Sequence, residues 1–363
     1  MMNVLCLTEG ALAPTARFRV LPYLGPLAAA GIRCAVDPAA PPKYAWSHEH
    51  PWNRPGVWRI ARGLIRWRSL RDRRRAVARA AGFDAVLLQR DLSLFDASGD
   101  LEEALVRANP RIVFDFDDAL WLSGDGSPDP AREAKLRRIL GLARVVTAGN
   151  ETLRSWAGGG DRVVHLPTPI DTEHYAPAPG LRVAGGPVVL GWIGLRSNLP
   201  HLMTIAGPLD RVTRRRDAVV RIVCDRPPDP AALPFHAETA AWSAERELEL
   251  LRSFDAGLMP LPDNTWTRGK CGLKLLQYMA VGIAAAASPV GVNREILADG
   301  EAGLLPDGDA AWDEALDRLI ADAAYRAKVG RAGRARAEAA YSVARWTPVL
   351  KEALKAAAPS TSG

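Results

Sequence analysis

Short apolar runs recur along the chain, each ending in glycine or polar residues. In the first half they fall at 3–7, 32–36, 85–88, 112–115, 145–147 and 163–166. In the second they fall at 188–194, 218–224, 256–259 and 283–288. Runs of this length bounded by turn residues read as strands. Between them, 16–30, 199–213, 245–254, 312–319, 325–340 and 343–358 carry apolar residues at helical spacing. Strand and helix alternate through the first half, and the pattern restarts in the second. This predicts an α/β protein of two Rossmann-like domains, parallel sheets facing across a cleft. The first domain is expected over 1–176 and the second over 188–341, joined by a Pro/Gly-rich linker at 177–187. A helix at 342–358 is expected to pack back on the first domain, and the tail 359–363 to be disordered. The first strand feeds a lone glycine, Gly10, and G-x-G-x-x-G is absent there, against a standard dinucleotide fold.

Composition narrows the class. A chain of 363 residues with 48% hydrophobic and 24% charged content suits two soluble domains. A net charge of +6 fits an anionic ligand, a membrane surface or a nucleic acid without choosing among them. Cys6, Cys34, Cys224 and Cys271 have no metal spacing and read as free thiols of a reducing compartment. The N-terminus lacks a signal-peptide pattern, and no apolar run approaches a membrane span. A cytoplasmic protein is expected.

Residues 58–79 alternate Trp58, Ile60, Leu64, Ile65, Trp67 and Leu70 with arginines at near-helical intervals. Such a helix fits an anionic membrane surface, placing the protein peripherally on the inner face of the cell membrane. It equally fits a surface helix packed on the sheet with its arginines in water. No nucleic-acid motif accompanies it, so no nucleic-acid partner is expected.

The candidate chemistry gathers at 266–306. A loop with Gly269 and Gly272 runs into an apolar helix that Gly282 closes, and a buried strand follows. A second glycine turn, Pro289-Val290-Gly291, then opens another helix near Val292. Two helix N-termini beyond neighbouring parallel strands make an anion site, and Arg268, Lys270 and Lys274 add full charges. A phosphate-bearing ligand is therefore expected at 268–294. In the first half, Asp115, Asp117 and Asp118 follow a strand at a position where open sheets bind ligands. They could hold a metal, supply a base or cap a helix. Arg17 and Arg19 follow the first loop and could meet an acceptor phosphate or simply face solvent. The histidines show no metal spacing, so no bound metal is expected.

Residues 254–306, with Gly-Lys-Cys-Gly-Leu-Lys-Leu-Leu-Gln-Tyr-Met-Ala at 269–280, resemble the donor-binding segment of the retaining, family-4 glycosyltransferases of GT-B fold. Thr147-Ala-Gly-Asn150, residues 167–175 and Val189-Leu-Gly-Trp-Ile-Gly194 resemble that family's interdomain segments. The likeness follows nearly the whole chain in order. It implies a nucleotide-diphosphate sugar held mainly by the second domain, an acceptor held by the first, and no cofactor. Where the family carries two glutamates eight residues apart, this chain has Gly269 and Gln277. Gln277 can still hydrogen-bond a ribose, with Arg226 and Trp242 as candidates to flank the base. Sugar recognition then falls to Asp263, Asn264, Gly291 and Asn293. Trp192 stands where the family has a diphosphate-binding arginine, leaving Arg196, Gly194, Arg268, Lys270, Cys271, Gly272 and Lys274 for the diphosphate. Asp117 stands where a histidine is common.

Sugar transfer makes the anomeric carbon cationic and the leaving diphosphate more negative, so positioning and anion stabilisation carry the catalysis. Lys270, Asp117 and Asp118 are the expected catalytic residues. The expected acceptor is a lipid-linked glycan or polysaccharide of the cell envelope. The alternative is a non-catalytic GT-B-like protein that binds nucleotide or glycan.

Overall fold

The computed structural model describes residues 1–39, 57–93, 98–123, 125–177 and 186–358, with only the backbone at 57–62. Most of the expected 177–187 linker and all of the expected tail lie outside the described residues. The chain divides into two compact units. One comprises Met1–Thr168 with Trp346–Gly363, and the other Pro169–Arg345.

The first unit holds six parallel strands: β1 (Met2–Thr8), β2 (Ile32–Pro38), β3 (Ala85–Gln89), β4 (Ile112–Phe116), β5 (Val145–Ala148) and β6 (Val163–His165). Their order is β2-β1-β3-β4-β5-β6. Every residue of β3, β4 and β5 is buried. Near-continuous apolar runs are what a sheet covered on both faces demands. The helix expected over 16–30 is broken into Pro14–Arg19, a tight turn at Leu21–Tyr23, and Leu24–Ala29. Pro22 sits at the break, because a proline inside a helix removes a donor and clashes with the preceding turn.

The second unit holds five parallel strands: β7 (Val188–Gly194), β8 (Ala218–Cys224), β9 (Ala237–Ala241), β10 (Ala256–Met259) and β11 (Ala284–Ala287). The order β11-β10-β7-β8-β9 reverses direction between β7 and β10. Ligands of open parallel sheets bind beyond the carboxyl ends at such a switch point. β7 and β10 pair only through Leu190 with Ala256 and Gly191 with Gly257. Beyond that the strands part. The Tyr278 hydroxyl, on the helix Leu273–Ala280, spans the gap by accepting from the Ile193 N–H at 3.2 Å and donating to the Leu258 carbonyl at 3.3 Å. Trp192, Leu209, Val220, Ile222, Leu258 and Leu316 are among the side chains that fill this unit's core.

Candidate functional site: the carboxyl edge of the second sheet

The carboxyl end of β10 runs through Pro260 and Pro262 to the one-turn helix Thr265–Arg268. Asn264 and Thr267 close a capping box there, the Asn264 side chain accepting from the Thr267 N–H at 2.9 Å. An asparagine ahead of a helix is a strong cap. Asn264, expected to read the donor sugar, thus already serves the backbone. Arg268 grips Asp263 with two hydrogen bonds, Nε to Oδ1 at 2.6 Å and Nη2 to Oδ2 at 2.9 Å. The guanidinium holds the Asp263 carboxyl below its usual range. The two expected donor-binding side chains of this stretch therefore neutralise each other. Both stay more than half exposed, so the pair can open toward a ligand at small cost.

Gly269 ends the short helix at φ −76, and Lys270 follows with Nζ 4.9 Å from the centre of the Trp266 ring. Cys271 is buried, its Sγ 4.0 Å from the Gly269 carbonyl oxygen. Gly272 is left-handed at φ +69 and starts the helix Leu273–Ala280, which no side chain caps. A Cβ at 272 would fall 2.1 Å from Ile296 Cδ1. Only glycine suits that backbone and that packing. The first-turn N–H groups of this helix are the orphan donors and positive dipole end that bind anions.

Lys274, in that first turn, reaches across the end of β7. A Cβ at Gly194 would lie 2.9 Å from Lys274 Cε and 2.9 Å from the Trp192 ring. Lys274 Nζ sits 5.4 Å from the centre of the Trp192 ring. Trp192, where the resemblance would put an arginine, is thus a buried platform under a lysine. Arg196 begins the next turn, its N–H donating to Asp225 Oδ1 at 2.6 Å. Gln277 is buried on the same helix as Lys274, and its amide makes no hydrogen bond among the described residues. Lys274, Gly194 and Arg196 share the switch point of this sheet, and Lys270 lies in the loop that leads into the Lys274 helix.

Two further candidates extend the edge toward β8 and β9. The Trp242 N–H donates to the Cys224 carbonyl at 3.0 Å, setting it beside Arg226. The Trp242 indole donates to buried Glu247 at 2.7 Å, and Arg226 leans on Asp225 at 3.4 Å. In the Pro289–Gly291 turn, Gly291 packs on the Arg268 backbone: its Cβ position lies 3.1 Å from Arg268 Cα. Asn293 is buried and donates to the Ser288 carbonyl at 2.9 Å. The helix opened here, Asn293–Ile296, is a single turn, shorter than the sequence suggests.

His201 was not among the residues expected from sequence. It lies on the helix Leu199–Met203 beyond β7. Burial first, then Lys270 and Lys274, depress its pKa from 6.5 to about 4. The signal was a histidine shortly after a strand-ending glycine, which by itself is too common to use.

In the first unit the carboxyl ends of β1, β3 and β4 gather one arginine and three carboxylates. Arg90 Nη2 lies 2.7 Å from Asp117 and 3.8 Å from Asp118, and its Nη1 3.3 Å from Glu9. Arg90 holds φ +58, a backbone state unusual outside glycine. Asp117 and Asp118 are thus brought together around a cation. Asp115 goes elsewhere. It is buried and pairs with Arg19, Nε to Oδ2 at 2.9 Å, and accepts from Thr147 at 2.7 Å. Arg19 also donates to the Leu166 carbonyl at 2.9 Å and to Thr168 at 3.2 Å. At 2% exposure Arg19 is an internal tie, a correction to its expected part in meeting an acceptor. Arg17 is half-buried over the Phe18 ring.

Residues 189–322 match the sequence profile of the family described as Glycosyl transferases group 1. No curated protein matches the chain in sequence. Solved structures similar in fold include a sucrose-phosphate synthase from Thermosynechococcus elongatus. It is 17% identical with a TM-score of 0.69, over 97% of this chain and 98% of that one. Anabaena HepE, in complex with UDP-glucose, is 14% identical with a TM-score of 0.67, over 98% and 100%. A UDP-forming alpha,alpha-trehalose-phosphate synthase from Burkholderia xenovorans is 12% identical with a TM-score of 0.60, over 98% and 99%. The fold is GT-B, two Rossmann-like units with parallel sheets. The matched group 1 domain in the second unit supports a glycosyltransferase.

Proposed function

We propose that this protein transfers a sugar from a nucleotide-diphosphate sugar to a hydroxyl of a cell-envelope glycolipid or polysaccharide, with retention of anomeric configuration. The observation that carries this reading is the basic switch point of the second sheet. There Lys274 and an uncapped helix start meet beyond Gly194, with Lys270 in the loop just before them. An acceptor oxygen bonds to the anomeric carbon as the bond from that carbon to the diphosphate breaks. The proton of the acceptor hydroxyl passes to the departing diphosphate on the same face. Lys270, Lys274 and the Leu273–Ala280 N-terminus stabilise the growing negative charge, work that in many transferases falls to a metal. Gln277 is assigned to the ribose, and Trp242 with Arg226 to the base. In the first unit, Asp117 and Asp118 are assigned to orienting the acceptor hydroxyl.

HepE was solved with UDP-glucose, so UDP-sugars come first in the test. UDP- and GDP-sugars are screened by thermal shift, and UDP or GDP release is then followed with membrane extracts as acceptor. At least one nucleotide sugar should raise the unfolding temperature, and extract should stimulate release. Lack of stabilisation by any of them would sink the proposal. Gly269, which offers the sugar no side chain, favours a second reading: a partner protein that binds nucleotide sugar without chemistry. Stabilisation with neither hydrolysis nor transfer across many acceptors selects that one.

A further inference from the structure

We propose that Glu247 is a positioning residue for the base of the donor, acting through the ring of Trp242. This rests on the donor reading above and goes beyond it by naming what sets the base platform and how that platform binds. Trp242 follows β9, and its backbone N–H extends the ladder to the Cys224 carbonyl at the end of β8. Backbone pairing places the Cα but leaves the ring free to turn about its side-chain bonds. Glu247 removes that freedom. It is the buried first residue of the helix Glu247–Arg252. One carboxylate oxygen accepts from the Trp242 indole N–H at 2.7 Å, and the other from the Tyr175 hydroxyl at 2.5 Å.

An indole N–H lies in the plane of its ring, so a bond to a fixed acceptor sets the plane as well as the position. The acceptor is fixed in its turn. Tyr175 is buried, and its carbonyl accepts from Arg334 at 3.1 Å. Arg334, on the helix Ala323–Tyr341, also donates at 2.6 Å to the carbonyl of Ala280, where the Lys274 helix ends. One hydrogen-bonded frame therefore runs from the anion-binding helix to the base platform. With its indole donor engaged, half-buried Trp242 has ring surface and no N–H to offer a ligand. Stacking on such a surface tolerates any base. Choice between uracil and guanine then falls to other groups at this edge, and Glu247 acts on affinity.

The test is calorimetric titration of the whole protein with UDP and with GDP. Glu247→Met removes the acceptor at nearly constant size and should weaken the nucleotide that binds about tenfold. Glu247→Gln should stay within a few-fold, because its Oε1 still accepts from the indole while its Nε2 donates to the Tyr175 oxygen. Trp242→Phe keeps a ring and loses the tie, so adding Glu247→Met to it should cost less than about twofold more. A merely structural carboxylate would cost the same in both backgrounds. That result, or no loss from Glu247→Met alone, overturns the role of Glu247 and leaves the donor reading intact. Should Glu247→Met not fold, Trp242→Phe decides: weaker nucleotide binding supports the tie, and unchanged binding overturns it. Failure of UDP and GDP to bind the unaltered protein counts against the donor reading and this inference together.

Discussion

Lys270 and Lys274 each lie over an indole face, Trp266 and Trp192. A cation over a ring at a partly exposed site contributes about 0.5–1 kcal/mol, less than a charge-assisted bond to phosphate. The rings thus aim the lysines without holding them against a better partner. Lys270→Ala should lower the rate of UDP or GDP release about 10- to 100-fold, with the unfolding temperature nearly unchanged. An unaltered rate would remove Lys270 from the site. Both lysines were legible in the sequence as candidates for an anion site, because glycines beside positive charge ahead of an apolar helix suit one. The depressed pKa of His201 was not legible, since the lysines that contribute to it lie far along the chain. Arg19 shows the opposite error. An arginine near a loop looks the same in sequence whether it meets a ligand or a buried aspartate. Only β4, which carries Asp115, brings its real partner to it. Asp263 and Asn264 have partners within their own loop, which the sequence alone does not show.

The crevice between β7 and β10 is where element-scale forces meet function. The strands must part there to leave room at their carboxyl ends, and parting strips backbone groups of ladder partners. Tyr278 supplies them from the helix that also carries Lys274 and Gln277. Its hydroxyl is fully buried, and that burial pushes its pKa up, so it stays protonated. Tyr278→Phe leaves the Ile193 N–H and the Leu258 carbonyl short of a partner. The expected loss is about 1–3 kcal/mol by denaturant titration, with nucleotide-sugar affinity weakened as the Lys274 helix loosens on the sheet. Unchanged stability would mean that water or a strand shift replaces the hydroxyl. The strands themselves were readable because their apolar runs are long relative to their turns. β9 was not. Ala-Glu-Thr-Ala-Ala at 237–241 has no apolar run, and it is a sheet edge paired only with β8. Edge strands bury less, so composition marks them less.

For the whole molecule, charge and exposed apolar surface pose the remaining question. The helix Val57–Arg79 buries Ile65, Ala76 and Val77 and leaves Leu64 and Trp67 about 60% exposed. The side chains of Trp58 and Ile60 lie outside the described residues. Arg73 turns inward, donating to the Leu92 and Asp37 carbonyls, which anchors the helix on its own unit. Arg68, Arg71 and Arg75 share the single carboxylate of Asp72. Cationic charge is thus in surplus beside two apolar side chains that water does not favour. No helix among the described residues is long and apolar enough to cross a membrane. If the proposed lipid-linked acceptor is right, this face would meet an anionic lipid surface, a contact that vesicles test. Each arginine near such a surface contributes about 1 kcal/mol, and salt screens it. The protein should sediment with phosphatidylglycerol vesicles at low salt, stay in solution with phosphatidylcholine alone, and be released at about 0.5 M salt. Leu64→Ser with Trp67→Ser should weaken the low-salt binding several-fold, because the apolar contact is lost while every arginine remains. Vesicle binding that ignores lipid charge, or none at low salt, would leave the helix a solvated face of the first unit.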